Sequence, residues 1–449
     1  MAGRHKRDAG LNRAAGKTVI ETAEVVDLDE AGRGVARVQG KAVFIADALP
    51  GEQVEFVRLR QHRNFDEARL QSILMPAADR VEPPCAHFGV CGGCALQHLA
   101  PQRQIEFKEK QLLQALARIG QVEPAQVLQP LRGGSENYRR RARLGVRWVP
   151  KKNRALVGFR ERNSKFLADI RRCRVLKSPA DQLVGRLSDL ITTLQVRDRL
   201  PQIEVSVADN ATALVFRVLR PLDDADREKL QQFGRDHQVQ IFLQPQGYDS
   251  ITALEPPVAP LTYSLPEFAV ELVFEPFDFV QIHGELNEKM VSQTIRLLEL
   301  NPEHRVLDLF CGLGNFSLPL ARRAASVIGV EGEASLVERA RANAVRNGLR
   351  NVSFVTANLF EAQQHGPWSA QRFDRVLIDP PRAGAREILP LVAQCGATRV
   401  VYVSCHPGSL ARDAGILVKD HGFRLAAAGV MDMFPHTTHV ESIAVFERE

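Results

Sequence analysis

Between Thr18 and about Leu74 the apolar positions come in short alternating stretches: Val19 to Val26, Gly34 to Val38, Ala42 to Ile45 and Val54 to Leu59, with Pro50-Gly51 as a turn. Several short strands broken by Gly and Pro predict a small β-barrel. Gln97 to Ile119 changes period, with Leu112, Leu113, Leu116 and Ile119 on one side of a predicted helix. In residues 138–154 the alternation returns, Ala142, Leu144, Val146 and Trp148 interleaving with Arg141, Arg143 and Arg147. A strand with that pattern packs one face and sets guanidiniums on the other. Ile203 to Val207, Ala213 to Leu219 and Val239 to Leu243 read as further strands, with a polar helix from Asp223 to His237 and a linker at Pro256, Pro257, Pro260 and Pro266.

From Val306 onward, strands and helices take turns. Val306 to Leu309, Val327 to Val330, Val352 to Val355, Phe373 to Ile378 and Val400 to Val403 are separated by loops and amphipathic segments such as Ser335 to Asn347, closed by Gly348. This predicts an α/β fold with a doubly wound, Rossmann-like sheet. The expected layout is a flexible arm over 1–16, an OB-like barrel over 17–75, a small α/β middle domain over 76–275 and the Rossmann-like domain over 276–449.

Composition narrows the partners. The chain has 449 residues with a formal charge of +6 and an isoelectric point near 9.0. That excess is informative where it clusters. It does so in the basic arm, at Arg58, Arg60, Arg63 and Arg69 near the end of the barrel, and along Arg139 to Arg154, where no acidic residue intervenes. The arginine row fits a phosphate backbone. No run of about 18 apolar residues occurs, and no apolar segment follows the basic start, so a cytoplasmic protein is expected, neither secreted nor membrane-spanning. Seven cysteines in such a chain point to reduced thiols, metal ligands or catalysis.

The loop after the first Rossmann strand carries the first chemistry. Asp308 ends that strand, and Gly312 and Gly314 form the turn before Phe316, Leu318, Leu320 and Ala321 restart as a helix. Glycines let backbone approach a ligand closely. Glu331, ending the second strand, sits where a doubly wound sheet places a carboxylate for ribose hydroxyls. Ser317 stands where a dinucleotide fingerprint has its third Gly. A carboxylate at the tip of the first strand suits a ligand with a cationic amine, such as S-adenosylmethionine (SAM), better than a pyrophosphate. A dinucleotide or an empty structural unit are the alternatives. Asn358 and Asp379 end the third and fourth strands and face the same crevice.

Cys85, Cys91 and Cys94 crowd a Pro- and Gly-rich loop, which is rare for core packing. Cys173, in Arg171-Arg172-Cys173-Arg174, is the best fourth ligand, because Cys311 lies in the cofactor loop and Cys395 and Cys405 lie in later elements. Zinc usually takes two close pairs of thiolates, whereas three together plus one distant fits an iron–sulfur cube at least as well. Spacing leaves both open.

Cys405 follows the fifth strand and precedes a helix expected from about Ser409. A helix N-terminus favours the thiolate, so Cys405 reads as a nucleophile with a lowered pKa. Cys395 reads as a buried thiol. Glu441 is a carboxylate at the mouth of the last strand, which continues through Ile443 to Phe446.

Asp379-Pro380-Pro381-Arg382-Ala383-Gly384, Val400-Val401-Tyr402-Val403-Ser404-Cys405 and Asp432-Met433-Phe434-Pro435-His436-Thr437-Thr438-His439-Val440-Glu441 resemble the signatures of the RNA uridine-C5 methyltransferase family. The barrel, with its Ala-Leu-Pro-Gly-Glu turn, resembles a TRAM domain, and barrel and cysteine cluster together resemble the large-subunit (23S) ribosomal RNA branch. The resemblance implies SAM-dependent methylation of a uridine at C5, at the position-1939-type site of 23S rRNA, by a monomer. Cys405 would be the nucleophile and Glu441 the base. Gln281, Phe310, Asn315, Glu331, Asn358 and Asp379 would bind SAM, and Cys85, Cys91, Cys94 and Cys173 would hold a 4Fe-4S cluster, with zinc the less favoured metal. Another rRNA or tRNA uridine, an RNA-binding protein with an inactive methyltransferase domain, and a thiol redox protein are the competing readings. Two positions depart from the family: His283 and His406 stand where relatives usually carry Asn.

Overall fold

The computed structural model describes residues 19–361 and 366–448, so the basic arm over 1–16 lies outside the described residues. The chain divides into two compact units, residues 1–80 and 81–449.

In the first unit β1 (Glu21–Leu28), β2 (Gly34–Val38), β3 (Lys41–Ala46), β4 (Gln53–Gln61) and β5 (Phe65–Met75) close into a barrel of order β1-β2-β3-β5-β4. Its interior is Val25, Ala36, Val43, Ile45, Ala48, Val54, Phe56 and Ala68, the inward set that period-2 patterning selects. One expectation fails here. Arg58 is not part of a free basic edge, because its guanidinium is paired with Glu21 and with buried Asp66, which also binds Lys41 at 2.6 Å. Arg63 and Arg69 are exposed.

The second unit opens with the cysteine loop, α1 (Pro101–Ala115) and the short strand β6 (Gln126–Val127). There follow β7 (Arg141–Val149), β8 (Arg154–Gly158), α2 (Ala180–Thr193), β9 (Gln202–Val207), β10 (Thr212–Arg217), α3 (Asp224–His237), β11 (Gln240–Gln244) and β12 (Thr252–Ala253). These strands form a sheet of order β12-β11-β10-β9-β7-β8. A hairpin, β13 (Leu261–Leu265) and β14 (Val270–Phe274), then leads to α4 (Gly284–Leu297). The proline linker therefore runs into a hairpin, and Leu261, Tyr263, Leu265, Leu272 and Phe274 share a core with Leu286 and Met290 of α4.

The last part alternates β15 (Arg305–Leu309), α5 (Ser317–Ala321), β16 (Ser326–Glu331), α6 (Ala334–Arg346), β17 (Val352–Thr356), β18 (Arg375–Ile378), α7 (Leu389–Gln394), β19 (Arg399–Ser404) and α8 (Pro407–Lys419), and ends with β20 (Arg424–Met431) and β21 (Glu441–Glu447). The sheet order is β17-β16-β15-β18-β19-β21-β20-β6, parallel from β17 to β19 and antiparallel where β21 inserts between β19 and β20. Strands buried on both faces need apolar side chains throughout, and Val400, Val401, Tyr402 and Val403 supply them.

Helix α1 belongs to this sheet. Ile105, Leu112 and Leu116 join the core of Leu410, Ala411 and Ala414 from α8. Of the predicted apolar stripe, Leu112 and Leu116 are buried, but Ile119 is 55% exposed. The chain widens over 116–120 into a π turn that ends at Gly120, and a Cβ on Gly120 would run into the Ala411 carbonyl. This close crossing rotates Ile119 outward; a side chain at Gly120 would cost about 1–3 kcal/mol of overpacking strain.

Candidate functional site

The carboxyl ends of the parallel strands define a crevice, as in other doubly wound sheets. Asp308 lies at its floor, fully buried. Its Oδ2 accepts from the Ser317 hydroxyl, while Oδ1 is buried with no hydrogen-bond partner among the described residues. Burial first, and then Asp379 and Glu331, push the Asp308 carboxyl up to about 7. A buried acceptor without a donor is costly, and it fits a cationic amine supplied by a ligand.

Above it the chain turns through Phe310 at φ 65°, Gly312 at φ 54° and Gly314 at φ 99°. A non-glycine residue in the left-handed region costs energy that surrounding structure must offset; here the Phe310 and Cys311 amides both donate to the Val330 carbonyl, at 2.9 and 3.1 Å. Glu331 braces the same turn, accepting from Gly312 N at 3.1 Å and Gly332 N at 2.6 Å. The helix that follows the turn, α5, has only five residues.

Asn315 is fixed by a reciprocal pair of amide hydrogen bonds with Asn287, both 2.9 Å, and accepts from the Tyr263 hydroxyl at 3.0 Å. Thus the hairpin and α4 position a residue of the cofactor loop. Asn358 turns on itself, accepting from Phe360 N at 3.1 Å and donating to Glu361 at 2.6 Å, and Phe360 packs on Phe310 with centroids 5.6 Å apart. Asp379 is partly buried and its carboxyl is pushed up to about 7 by burial. Gln281 is partly buried in the segment before α4, where Ile282 O accepts from Arg140 N at 2.8 Å.

The β19–β21 register brings Cys405 and Glu441 together. Ser404 is paired with Ser442, whose hydroxyl donates to Ser404 O at 3.2 Å; Cys405 is the next residue of one strand's extension and Glu441 its counterpart on the other. Burial, then Asp379, push the Glu441 carboxyl well above the ordinary range, with Lys108 opposing. The Cys405 thiol is pushed up to about 11, first by burial, then by Glu441 and Asp379, with Arg382 acting against them. This reverses the expected lowering. The α8 N-terminus is already satisfied by its own cap, because His406 Nδ1 accepts from Ser409 N at 3.1 Å, and two carboxyl groups face the thiol.

His283 and His406 act alike. His283 Nδ1 caps α4 by accepting from Leu286 N at 3.3 Å, and its Nε2 lies 2.9 Å from Gly134 O. Imidazole Nδ1 does in both places what an Asn side-chain oxygen does at an N-cap, so these acceptors are committed to helix ends. Sequence reasoning missed Tyr263, Ser317 and Lys108. Only Ser317, beside the glycine turn, carried a signal; the others meet the site through the fold.

The strap over 432–440 precedes Glu441. His436 sits at φ 65°, its carbonyl accepting from the amides of Ala95 and Leu96 at 2.8 and 2.9 Å. The chain just after Cys94 therefore docks on the strap. Cys85, Cys91, Cys94 and Cys173 line one cavity of about 140 Å³ together with Arg139, Arg172 and Arg174. Burial and neighbouring thiols push Cys94 up to about 12 and Cys173 to about 11. Among the described residues no group of three or more His, Cys, Asp or Glu is arranged to hold a metal ion. The four thiols surround a hollow and do not converge on a point.

The arginine row is real but less free than its sequence implied. Arg143 and Arg147 point outward on β7, yet Glu204 of neighbouring β9 lies 3.0 Å from Arg143 and 3.6 Å from Arg141, and Asp169 pairs with Lys152 at 2.6 Å and with Arg154. The acids come from elsewhere in the chain. No described helix is long and apolar enough to cross a membrane.

A doubly wound sheet with an antiparallel seventh strand, a glycine turn over a buried carboxylate and a cysteine at a strand tip defines a Rossmann-type methyltransferase. A family model for tRNA (uracil-5-)-methyltransferase matches residues 101–449, and the chain belongs to that family. It is 51% identical over 95% of its length to the 23S rRNA (uracil(1939)-C(5))-methyltransferase of Alkalilimnicola ehrlichii, covering 96% of that protein. It is 50% identical over 96% of its length to the Stenotrophomonas maltophilia protein of the same name, covering 98% of it. The crystal structure of Pyrococcus abyssi tRNA (uracil-54, C5)-methyltransferase with S-adenosyl-L-homocysteine shares the fold, with TM-score 0.73, 24% identity and 95% and 100% of the two chains covered.

A thiol pushed up to about 11 reacts slowly at neutral pH, because the thiolate is the nucleophile. Iodoacetamide labelling of Cys405 in the ligand-free protein, followed by peptide mass spectrometry, is expected to keep rising about tenfold per pH unit from pH 7 to 10. Levelling off by about pH 9.5 would show an ordinary thiol pKa, and by about pH 8 a lowered one.

Proposed function

We propose that the protein methylates a uridine of 23S rRNA at C5, at the site corresponding to position 1939 in the names of its relatives, with SAM as methyl donor. The observation that carries this is the meeting of Cys405 and Glu441 on adjoining strand ends beside the crevice floored by Asp308. Bound SAM supplies a sulfonium methyl. Asp308 takes its amine through the unpartnered Oδ1, and Gln281, Phe310, Gly312, Gly314, Asn315, Glu331, Asn358 and Asp379 surround the rest.

Uracil C5 is a weak nucleophile. Addition of the Cys405 thiolate to C6 makes C5 an enolate carbon, which takes the methyl as its bond to sulfur breaks. Glu441, as carboxylate, then removes the C5 proton; the C5–H pair re-forms the C5=C6 bond and the C6–S pair returns to Cys405. Arg382, the cation acting on the thiol, assists its ionisation. Because C6 is inaccessible in a stacked strand, the uridine is flipped out, with exposed Arg147 holding a flanking phosphate.

The hollow at Cys85, Cys91, Cys94 and Cys173 fits a 4Fe-4S cluster. Four thiols around a cavity of about 140 Å³ suit a cube better than a single tetrahedral ion, and Arg139, Arg172 and Arg174 offset the charge of four thiolates. Its role is structural, because the chain leaving Cys94 is bonded to the strap. The protein acts as a monomer in the cytoplasm.

Incubation with tritiated SAM and, separately, 23S rRNA and tRNA transcripts is expected to label rRNA alone, as 5-methyluridine on digestion, with the label lost in Cys405→Ala. Label in tRNA would overturn the substrate; label in neither would overturn the enzyme. Anaerobic iron and sulfide reconstitution should give a stoichiometry of about four irons per chain and a broad visible absorbance, both abolished in Cys94→Ser. Tightly bound zinc with no iron uptake would contradict the cluster.

A further inference from the structure

Lys108 is a buried charge that no step above uses. It lies on α1, its side chain is 0% exposed, and its ammonium donates to Asp432 Oδ1 at 2.6 Å and Phe434 O at 2.9 Å. One turn earlier Gln104 accepts from His436 N at 3.0 Å and donates to the Leu96 and Leu99 carbonyls at 2.9 and 2.8 Å. Tyr138 donates to Pro435 O at 3.1 Å. Three side chains thus hold the strap that leads into Glu441, and two are neutral.

A neutral donor would have served there as well. Burying an ammonium costs more than burying an amide, and an ion pair removed from water is weak evidence for stability. A charge kept at such a place is expected to act on other charges. Facing Lys108 are Asp432, His436, His439 and, at the strap's end, Glu441; Asp379 and Cys405 complete the ionisable set around Glu441, with Arg382 over Cys405 and His439. Burial pulls both histidines down, so they carry no charge at neutral pH. Lys108 is the cation that opposes the rise of the Glu441 carboxyl.

We propose that Lys108 is a positioning residue for the reaction: its buried ammonium fixes the 432–440 strap against α1 and stabilises the Glu441 carboxylate at the step in which it accepts the C5 proton. This rests on the reading of Glu441 as the base. Without the ammonium, addition and methyl transfer proceed, but proton removal from C5 fails more often. The methylated uridine then stays bonded to Cys405.

The full-length protein with SAM and unmodified 23S rRNA transcript provides the test, quenched in SDS and followed by gel shift and by 5-methyluridine release from pH 6.5 to 9. Lys108→Met is expected to accumulate an SDS-stable methylated adduct and to release product about tenfold more slowly at pH 7, recovering as pH rises. SAM affinity by calorimetry should hold. Lys108→Arg, which keeps the charge, should resolve the adduct and retain the wild-type pH profile. Wild-type release by Lys108→Met, or loss of release without adduct in a folded variant, would overturn the proposal. If Lys108→Met does not fold, Lys108→Gln decides, since it keeps a donor toward the strap but no charge. Trapped adduct upholds the role; wild-type release overturns it. Glu441→Gln, run in parallel, must itself trap the adduct; if it forms none or turns over, the reading of Glu441 as base fails whatever Lys108 does.

Discussion

The pairing of β19 with β21 turns a common fold into a particular site. Only because β21 inserts antiparallel between β19 and β20 do the end of one strand and the start of another meet, with Ser404 opposite Ser442 and Cys405 and Glu441 one residue beyond. Side chains alternate along strands, so a shift of one residue would turn Glu441 away from the thiol. The fully buried faces of β19 and β21 fix that register, since slippage would also misplace every apolar side chain. Cys405 and Glu441 are held by the same forces that hold the sheet.

That burial sets the electrostatics. Asp308 and Asp379 each stand near 7, Glu441 is pushed well above its ordinary range, and Cys405 is pushed to about 11. Low dielectric disfavours each anion, and Asp379 adds to the effect at Asp308, Glu441 and Cys405. On the proposed reaction the cationic amine and sulfonium of SAM supply charge that these groups lack, so binding and ionisation are linked. The cysteine hollow shows the same physics with thiols, burial pushing Cys91, Cys94 and Cys173 up. The strap, docked on the chain beyond Cys94 and on α1, ties one region to the other.

Much of this was legible in the sequence. The doubly wound alternation, the glycine turn after Asp308, the crowding of Cys85, Cys91 and Cys94 and the strand-tip position of Cys405 are local patterns, and local patterns survive folding. What failed was non-local. Arg58 and Arg143 looked free because Asp66 and Glu204 lie on other strands, and Ile119 looked buried because nothing in its own periodicity reveals the crossing at Gly120. The thiol of Cys405 looked activated because a following helix is visible in sequence, whereas the facing carboxyls of Glu441 and Asp379 are not. Lys108, on a polar-looking helix, gave no sign of being a buried cation that acts on Glu441.

The central claim is that Cys405 forms a covalent bond to a uridine that Glu441 must release. Its most direct test is the intact mass of the protein after incubation with SAM and a 23S rRNA fragment carrying 5-fluorouridine at the target, where fluorine replaces the proton that Glu441 would remove. The account predicts a species with the mass of protein plus RNA plus one methyl group, mapped to Cys405 and absent from Cys405→Ala. Free protein only, from an enzyme that methylates the ordinary uridine fragment, would contradict covalent catalysis.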